Sequence, residues 1–240
     1  RSIAAGRDLL GEMLTHTFDA TALGAILEAA RKDGATLNDF LLASLFCAIR
    51  KWNERHAPDP ATPWLRIAVP QNLRVAADRW MPAANKVTMC FLTRAVEACR
   101  ESDELLAGIR SEMANARQWL RGKSLLRAIH FGQSLPVFRG AFLESGACLA
   151  TAVLSNVGDF NRWFCRSLPQ DGSCVRAGGL RLESIVCVPP VRPNTHVVFC
   201  AATYGGLLRI TMRSDPHCIP RTHAKQLLTL YAAEIENRMR

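Results

Sequence analysis

The sequence predicts an α/β fold in which helices pack on a mixed β-sheet, and three observations carry that prediction. Early in the chain, strand-like runs alternate with helix-like ones, the order that builds crossover units. Late in the chain, His196 to Tyr204, Gly205-Gly206 and Leu207 to Ser214 read as an antiparallel hairpin closed by a two-glycine turn. And Phe40 to Ile49 is a helix-like run with a single polar residue, Ser44. A helix with so little face for water has to be buried against a sheet, and this one is too short to span a bilayer.

The elements follow in order. His16 to Asp19 reads as a short strand entering a helix, with Asp19 as its cap and Leu23, Ile26, Leu27 and Ala30 at helical spacing until Gly34 stops it. Thr36 then occupies an N-cap position with Asp39 three residues on. The hydroxyl can accept from a first-turn N–H while the carboxylate reaches back to the N-cap amide, and a negative charge suits that end of the helix dipole. The helix runs to about His56, and Ala57 to Pro63 is a proline-punctuated loop. Leu65 to Val69 is expected to be a strand closed by Pro70, and Lys86 to Val96 another.

Ser102 caps a helix carrying Leu105, Leu106, Ile109 and Met113, and a second helical patch spans about Lys123 to Phe142, interrupted at Pro136. Cys148 to Val157 and Leu182 to Val188 are read as strands. In the hairpin, Leu208, Ile210 and Met212 alternate with Arg209, Thr211 and Arg213, so one face of the ribbon is core. A closing amphipathic helix runs from about Pro220 to Met239. With no repeat, low-complexity segment or clear linker, residues 1–240 are read as one α/β unit.

Composition narrows the class. The chain has 240 residues, 49% of them hydrophobic, ample for a real core. Its nine cysteines are odd in number, lack any C-x-x-C pair and mostly lie in apolar runs, the pattern of free thiols in a reducing compartment. The sequence offers neither a signal-peptide core nor a transmembrane stretch, so a cytoplasmic location is expected. The first residue is Arg1, not Met, which leaves room for a longer protein.

The formal net charge is +9, from 30 Lys+Arg against 21 Asp+Glu. The arginines are scattered and accompany no zinc-finger or RNA-stacking signature, which argues against a nucleic-acid partner. One concentration, Arg110, Arg117, Arg121, Lys123, Arg127 and Arg139, reads either as a solvated basic face or as a dock for a phosphate or an acidic partner.

Standard catalytic signatures are missing: G-x-S-x-G, a Walker loop, G-x-G-x-x-G and H-E-x-x-H all fail to occur. The histidines His16, His56, His130, His196, His217 and His223 read as structural or exposed, and Cys218 with His217 and His223 matches no standard metal spacing, so no metal is expected.

Four segments in order carry a resemblance: Ala35 to Ala43, Ile67 to Arg74, Leu154 to Gly158 and Thr203 to Asp215. Together they resemble the C-terminal lobe of the condensation-domain, chloramphenicol-acetyltransferase-like superfamily, which includes peptide-synthetase condensation domains, alcohol acetyltransferases and wax ester synthase/diacylglycerol acyltransferases. The resemblance implies one lobe of a two-lobed fold around a tunnel. It also implies transfer of an acyl group from a CoA or carrier-protein thioester to an alcohol or amine, with the thioester as co-substrate and no permanently bound cofactor.

The superfamily's catalytic motif, H-H-x-x-x-D-G, belongs to the N-terminal lobe and does not occur in this sequence. The implied partners are therefore an N-terminal lobe of the same protein, an acyl-CoA or acyl carrier protein, and a small acceptor. A non-catalytic binding or scaffold protein that keeps the lobe fold is the alternative. By resemblance, Asn38 and Asp39 match a paired Asn-Asp beside the tunnel, and Ser155 and Asn156 match a Ser-Asn facing the active centre. The latter pair could equally be a strand end with local side-chain bonding. Arg74 ends a strand of the same type, where a surface ion pair is the plainer role. Asp159 stands where relatives often carry Pro or a basic residue.

Overall fold

A computed structural model of the chain describes residues 12–56, 63–81, 86–100, 102–121, 150–163, 165–191 and 195–239. Strand β1 (Leu14–Phe18) leads into helices α1 (Ala20–Lys32) and α2 (Leu37–His56), then strands β2 (Trp64–Asn72) and β3 (Val87–Ala95) and helix α3 (Asp103–Arg121). Strand β4 (Ala152–Asp159) is followed by one helical turn, Phe160–Trp163, and three short strands, β5 (Gln170–Asp171), β6 (Cys174–Ala177) and β7 (Leu180–Arg181). The hairpin β8 (Val197–Tyr204) and β9 (Leu207–Ser214) and helix α4 (Arg221–Arg238) close the fold.

The main sheet has six strands in the order β1-β9-β8-β4-β2-β3. Strand β4 runs parallel to β2 and to β8, and the remaining pairs are antiparallel. It is a mixed sheet packed with helices, as the sequence predicts.

Local chemistry sets most boundaries. Asp19 Oδ1 accepts from the Ala22 N–H at 2.8 Å and starts α1. The helix ends where Ala35 N–H bonds to Ala30 O and Gly34 N–H to Arg31 O, with Gly34 at φ +63°. That is a Schellman termination, which wants glycine. Tertiary packing wants it too, since a Cβ on Gly34 would lie 2.8 Å from Arg110 Nη1. In the next turn Thr36 N–H and Thr36 Oγ1 donate to Asp39 Oδ2 at 3.0 and 2.7 Å, and Asp39 N–H donates back to Thr36 Oγ1 at 3.3 Å. This is the reciprocal cap that the sequence predicts. From Phe40 to Ile49 every residue of α2 is buried, and Ser44 returns its hydroxyl to the Phe40 carbonyl at 3.1 Å.

One face of the sheet carries the helices. Leu65, Ile67, Val69, Leu92, Ala152, Leu154, Phe199, Ala201, Leu208, Ile210 and Met212 point into the same core as the apolar residues of α1, α2, α3 and α4. Strand periodicity then directs Ala68, Val153, Ser155, Val198, Cys200 and Thr211 to the opposite face.

The structure moves three boundaries. Strand β2 continues through Pro70 to Asn72, pairing with β3 at every position, whereas its parallel ladder to β4 is confined to Ile67 and Ala68. Pro70 can donate no ladder hydrogen bond, so β2 loses β4 there without losing β3. Of the strand expected over Cys148 to Val157, the described residues show β4 at Ala152–Asp159, starting after Thr151 and running past Val157; Cys148 and Leu149 lie outside the described residues. Leu182 to Val188 forms no strand; it is an extended segment fixed by side-chain donors, Arg209 Nη1 to Ile185 O at 3.3 Å and Thr211 Oγ1 to Cys187 O at 2.5 Å. The expected loop 57–63, for all but Pro63, and the helical patch 123–142 lie outside the described residues.

Candidate functional site

The sheet separates the candidate residues. Ser155 pairs in register with Cys200 on the face away from the helices, whereas Asn156 pairs with Ala201 on the helix face. The half-buried Ser155 hydroxyl has no hydrogen-bond partner among the described residues. Asn156 is committed: its Oδ1 accepts from the Gly158 N–H at 2.9 Å, closing an Asx turn at a bulge where Gly158 takes φ +83°. Asp159 then accepts from Asn161 N–H at 2.9 Å and starts the helical turn.

Asn38 and Asp39 open α2 on the helix side. Asp39 is fully buried; Oδ2 carries the cap, with Arg117 Nη2 4.0 Å away, and Oδ1 has no hydrogen-bond partner among the described residues. We expect Asp39→Ala to destabilise the protein by on the order of 1–3 kcal/mol, because a cap and a buried acceptor pair are lost together. The measurement is the urea midpoint at unchanged m value. Unchanged stability combined with loss of turnover in the complete protein would replace the capping account with a direct site role.

Two of the basic residues face the same turn. Arg110 donates to the Asp33 carbonyl at 2.5 Å, and Arg117 approaches Asp39 as above, so part of the basic face of α3 clamps the α1–α2 junction. The side chain of Arg121 and the whole of Lys123, Arg127 and Arg139 lie outside the described residues. Arg74 is exposed at the end of β2, with its N–H on Asn72 Oδ1 at 2.9 Å and its guanidinium 3.5 Å from the Asp78 carbonyl.

The histidines gather no catalytic constellation among the described residues. His56 and His223 stack at 4.2 Å beside Trp52, whose Nε1 donates to the His223 carbonyl at 3.2 Å. No group of three or more His, Cys, Asp or Glu side chains suited to a metal occurs among the described residues. Nor is any described helix long and apolar enough to cross a membrane.

Several residues that organise the site region carry no sequence signal of their own. Asp78 accepts from Val75 N–H at 2.8 Å and from Lys86 Nζ at 2.7 Å, and the Lys86 ammonium holds its carboxyl below the usual range. This hub fixes the β2–β3 connection. Tyr204 accepts from Val175 N–H and donates to the Leu182 carbonyl, both at 2.8 Å, tying the β5–β7 excursion to β8. An isolated Asp or Tyr looks the same in sequence whether or not it does this.

No protein-family model and no curated protein matches the sequence. Solved structures do match the fold. The epimerization domain from the third module of tyrocidine synthetase B superposes with a TM-score of 0.67 at 14% identity, over 99% of this chain and 50% of its own. The first condensation domain of the CDA synthetase gives 0.60 at 14%, over 99% and 47%. The wax ester synthase/diacylglycerol acyltransferase from Marinobacter aquaeolei VT8 gives 0.57 at 16%, over 98% and 52%. The chain spans about half the length of each. The chain is therefore an α/β unit whose fold is similar to about half of each of these structures.

Proposed function

We propose that the chain is the C-terminal lobe of an acyltransferase that moves an acyl group from a CoA or carrier-protein thioester to an alcohol or amine. The observation that carries this reading is Ser155: a half-buried hydroxyl without a hydrogen-bond partner among the described residues, on the face away from the helices and just beyond the last β2–β4 rung, while neighbouring Asn156 is spent on a turn. When a nucleophile attacks a thioester, charge builds on the carbonyl oxygen, and a preorganised O–H aimed there stabilises the transition state more than the ground state. Ser155 is assigned that donor role, with the pantetheine arm lying along the open face. The general base comes from a lobe bearing H-H-x-x-x-D-G, outside this sequence, and deprotonates the acceptor.

The β3 edge of that face suits a second lobe. Val87, Met89 and Phe91 alternate along edge strand β3 and are exposed, and Trp64, opposite Ala95 at the far end of the β2–β3 pair, is exposed too. An exposed apolar row on a sheet edge favours a covering partner. The thioester acts as a co-substrate, the expected setting is the cytoplasm, and a multidomain partner carrying the donor is in keeping with the synthetase origin of two of the matching structures.

The test is Ser155→Ala in the full-length protein, assayed with acyl-CoA and acyl-carrier donors against alcohols and amines. Loss of one oxyanion donor is expected to lower kcat/KM by about 10²-fold with unchanged thermal stability. Equal kcat/KM in parent and variant would remove Ser155 from the chemistry. Failure of the parent to turn over any donor, with donor binding retained, would favour the scaffold reading, for which the structural commitment of Asn156 and Asp39 already speaks.

A further inference from the structure

We propose that Cys187 and Cys200 form an oxidisable dithiol pair whose disulfide would staple the extended segment 182–191 to the open face of the sheet. The two residues are brought together by tertiary structure. Cys200 is buried on β8, and its register partner on β9 is Thr211. One hydroxyl, Thr211 Oγ1, donates to the Cys187 carbonyl at 2.5 Å and reaches the Cys200 carbonyl at 3.4 Å. Both cysteine carbonyls therefore meet one side chain, so the segment carrying Cys187 lies against the β8–β9 ribbon at this point. Each thiol perturbs the titration of the other, so the two side chains are neighbours.

The segment makes no strand ladder. Its Leu182 N–H donates to Val175 O at 2.9 Å, Ile185 packs against the cluster around Tyr204, and three side chains donate to its carbonyls: Tyr204 OH to Leu182, Arg209 to Ile185 and Thr211 to Cys187. A covalent bond at Cys187 would add a link that thermal opening cannot break. Other described cysteines lie elsewhere: Cys47 and Cys99 belong to the helix-side core, and Cys165 and Cys174 to a small cluster around Tyr204.

The chemistry balances with a small-molecule disulfide as oxidant. One thiolate attacks it, giving a mixed disulfide and releasing one thiol; the second cysteine displaces the other half, so two protein thiols are oxidised and one external disulfide is reduced to two thiols. Burial raises both groups, Cys200 to about 12, which leaves little thiolate and slows their attack on an oxidant. Because Ser155 is the β4 neighbour of Cys200, the oxidised state would fix the cover beside the proposed acyl site. That consequence rests on the proposed function, whereas formation of the disulfide does not.

The experiment treats the full-length protein with diamide, whose azo group takes up the two thiol hydrogens. Remaining thiols are capped with N-ethylmaleimide before trypsin digestion and mass spectrometry. Arg192 precedes Pro193 and resists cleavage, so Cys187 and Cys200 fall in one peptide, Leu182 to Arg209, with no other cysteine. The expected product is that peptide two hydrogens lighter and uncapped, returning with two caps after dithiothreitol and not forming in Cys187→Ser. A wild-type peptide still doubly capped when the exposed Cys218 has lost its free thiol, or joined instead to another cysteine, would overturn the pairing. The mass readout is independent of acyl transfer, so its failure is distinguishable from failure of the proposed function.

Discussion

Residues 1–240 on their own are expected to transfer no acyl group above the uncatalysed rate. A positioned general base is worth about 10²–10⁴-fold, and residues that act as a unit lose most of their effect when one is missing. Among the described residues, no histidine stands in a constellation that could replace it. His56 and His223 are stacked on each other and on Trp52, and His16 packs edge-on against Phe18 at 4.6 Å. The measurement is thiol release from an acyl-CoA in the presence of an alcohol and amine panel, with this chain alone and with the full-length protein. Turnover by the 240 residues that disappears when one of their own histidines is replaced would overturn the half-enzyme reading.

Phe199→Ala is expected to cost about 3–5 kcal/mol, the range for deleting a fully buried aromatic side chain whose surroundings cannot collapse. Phe199 is inaccessible to solvent and meets Tyr231 edge to face at 5.1 Å, while the Tyr231 hydroxyl donates to the Leu41 carbonyl at 3.0 Å. Strand β8, α4 and α2 thus share one contact, and burial pushes the Tyr231 hydroxyl above its ordinary pKa. Urea unfolding measures the loss. Val188→Ala, at an exposed position on the extended segment, serves as the control and should stay within about 0.5 kcal/mol of the parent. A Phe199→Ala midpoint as close to the parent as the control would mean that the junction repacks.

How much of the fold and of the site the sequence shows depends on the range of the interactions. Asp19, Gly34, Thr36 and Asp39 act within five residues of themselves, so their caps and terminations are legible as spacing. The Gly205-Gly206 turn is equally local: both residues take positive φ, +63° and +78°, and Leu208, Ile210 and Met212 fall inside as their alternation requires. The Leu182 to Val188 segment ends in an apolar run, Ile185 to Val188, and yet makes no ladder, because an apolar run reports a tendency to burial and not whether a neighbouring strand has free backbone groups to pair with.

By itself, then, the sequence determined the α/β class, the capped and buried α2, the hairpin and the order of motifs that resembles a condensation-like lobe. Strand alternation puts Ser155 and Asn156 on opposite faces of the sheet, and tertiary structure alone decided which of the two faces the helices. It alone set Arg117 toward Asp39, Tyr204 under the β5–β7 excursion and Thr211 against the carbonyls of both Cys187 and Cys200. The physical reason is that each of those contacts joins segments far apart in the chain, and closing such loops depends on the packing of the whole core and not on any local pattern.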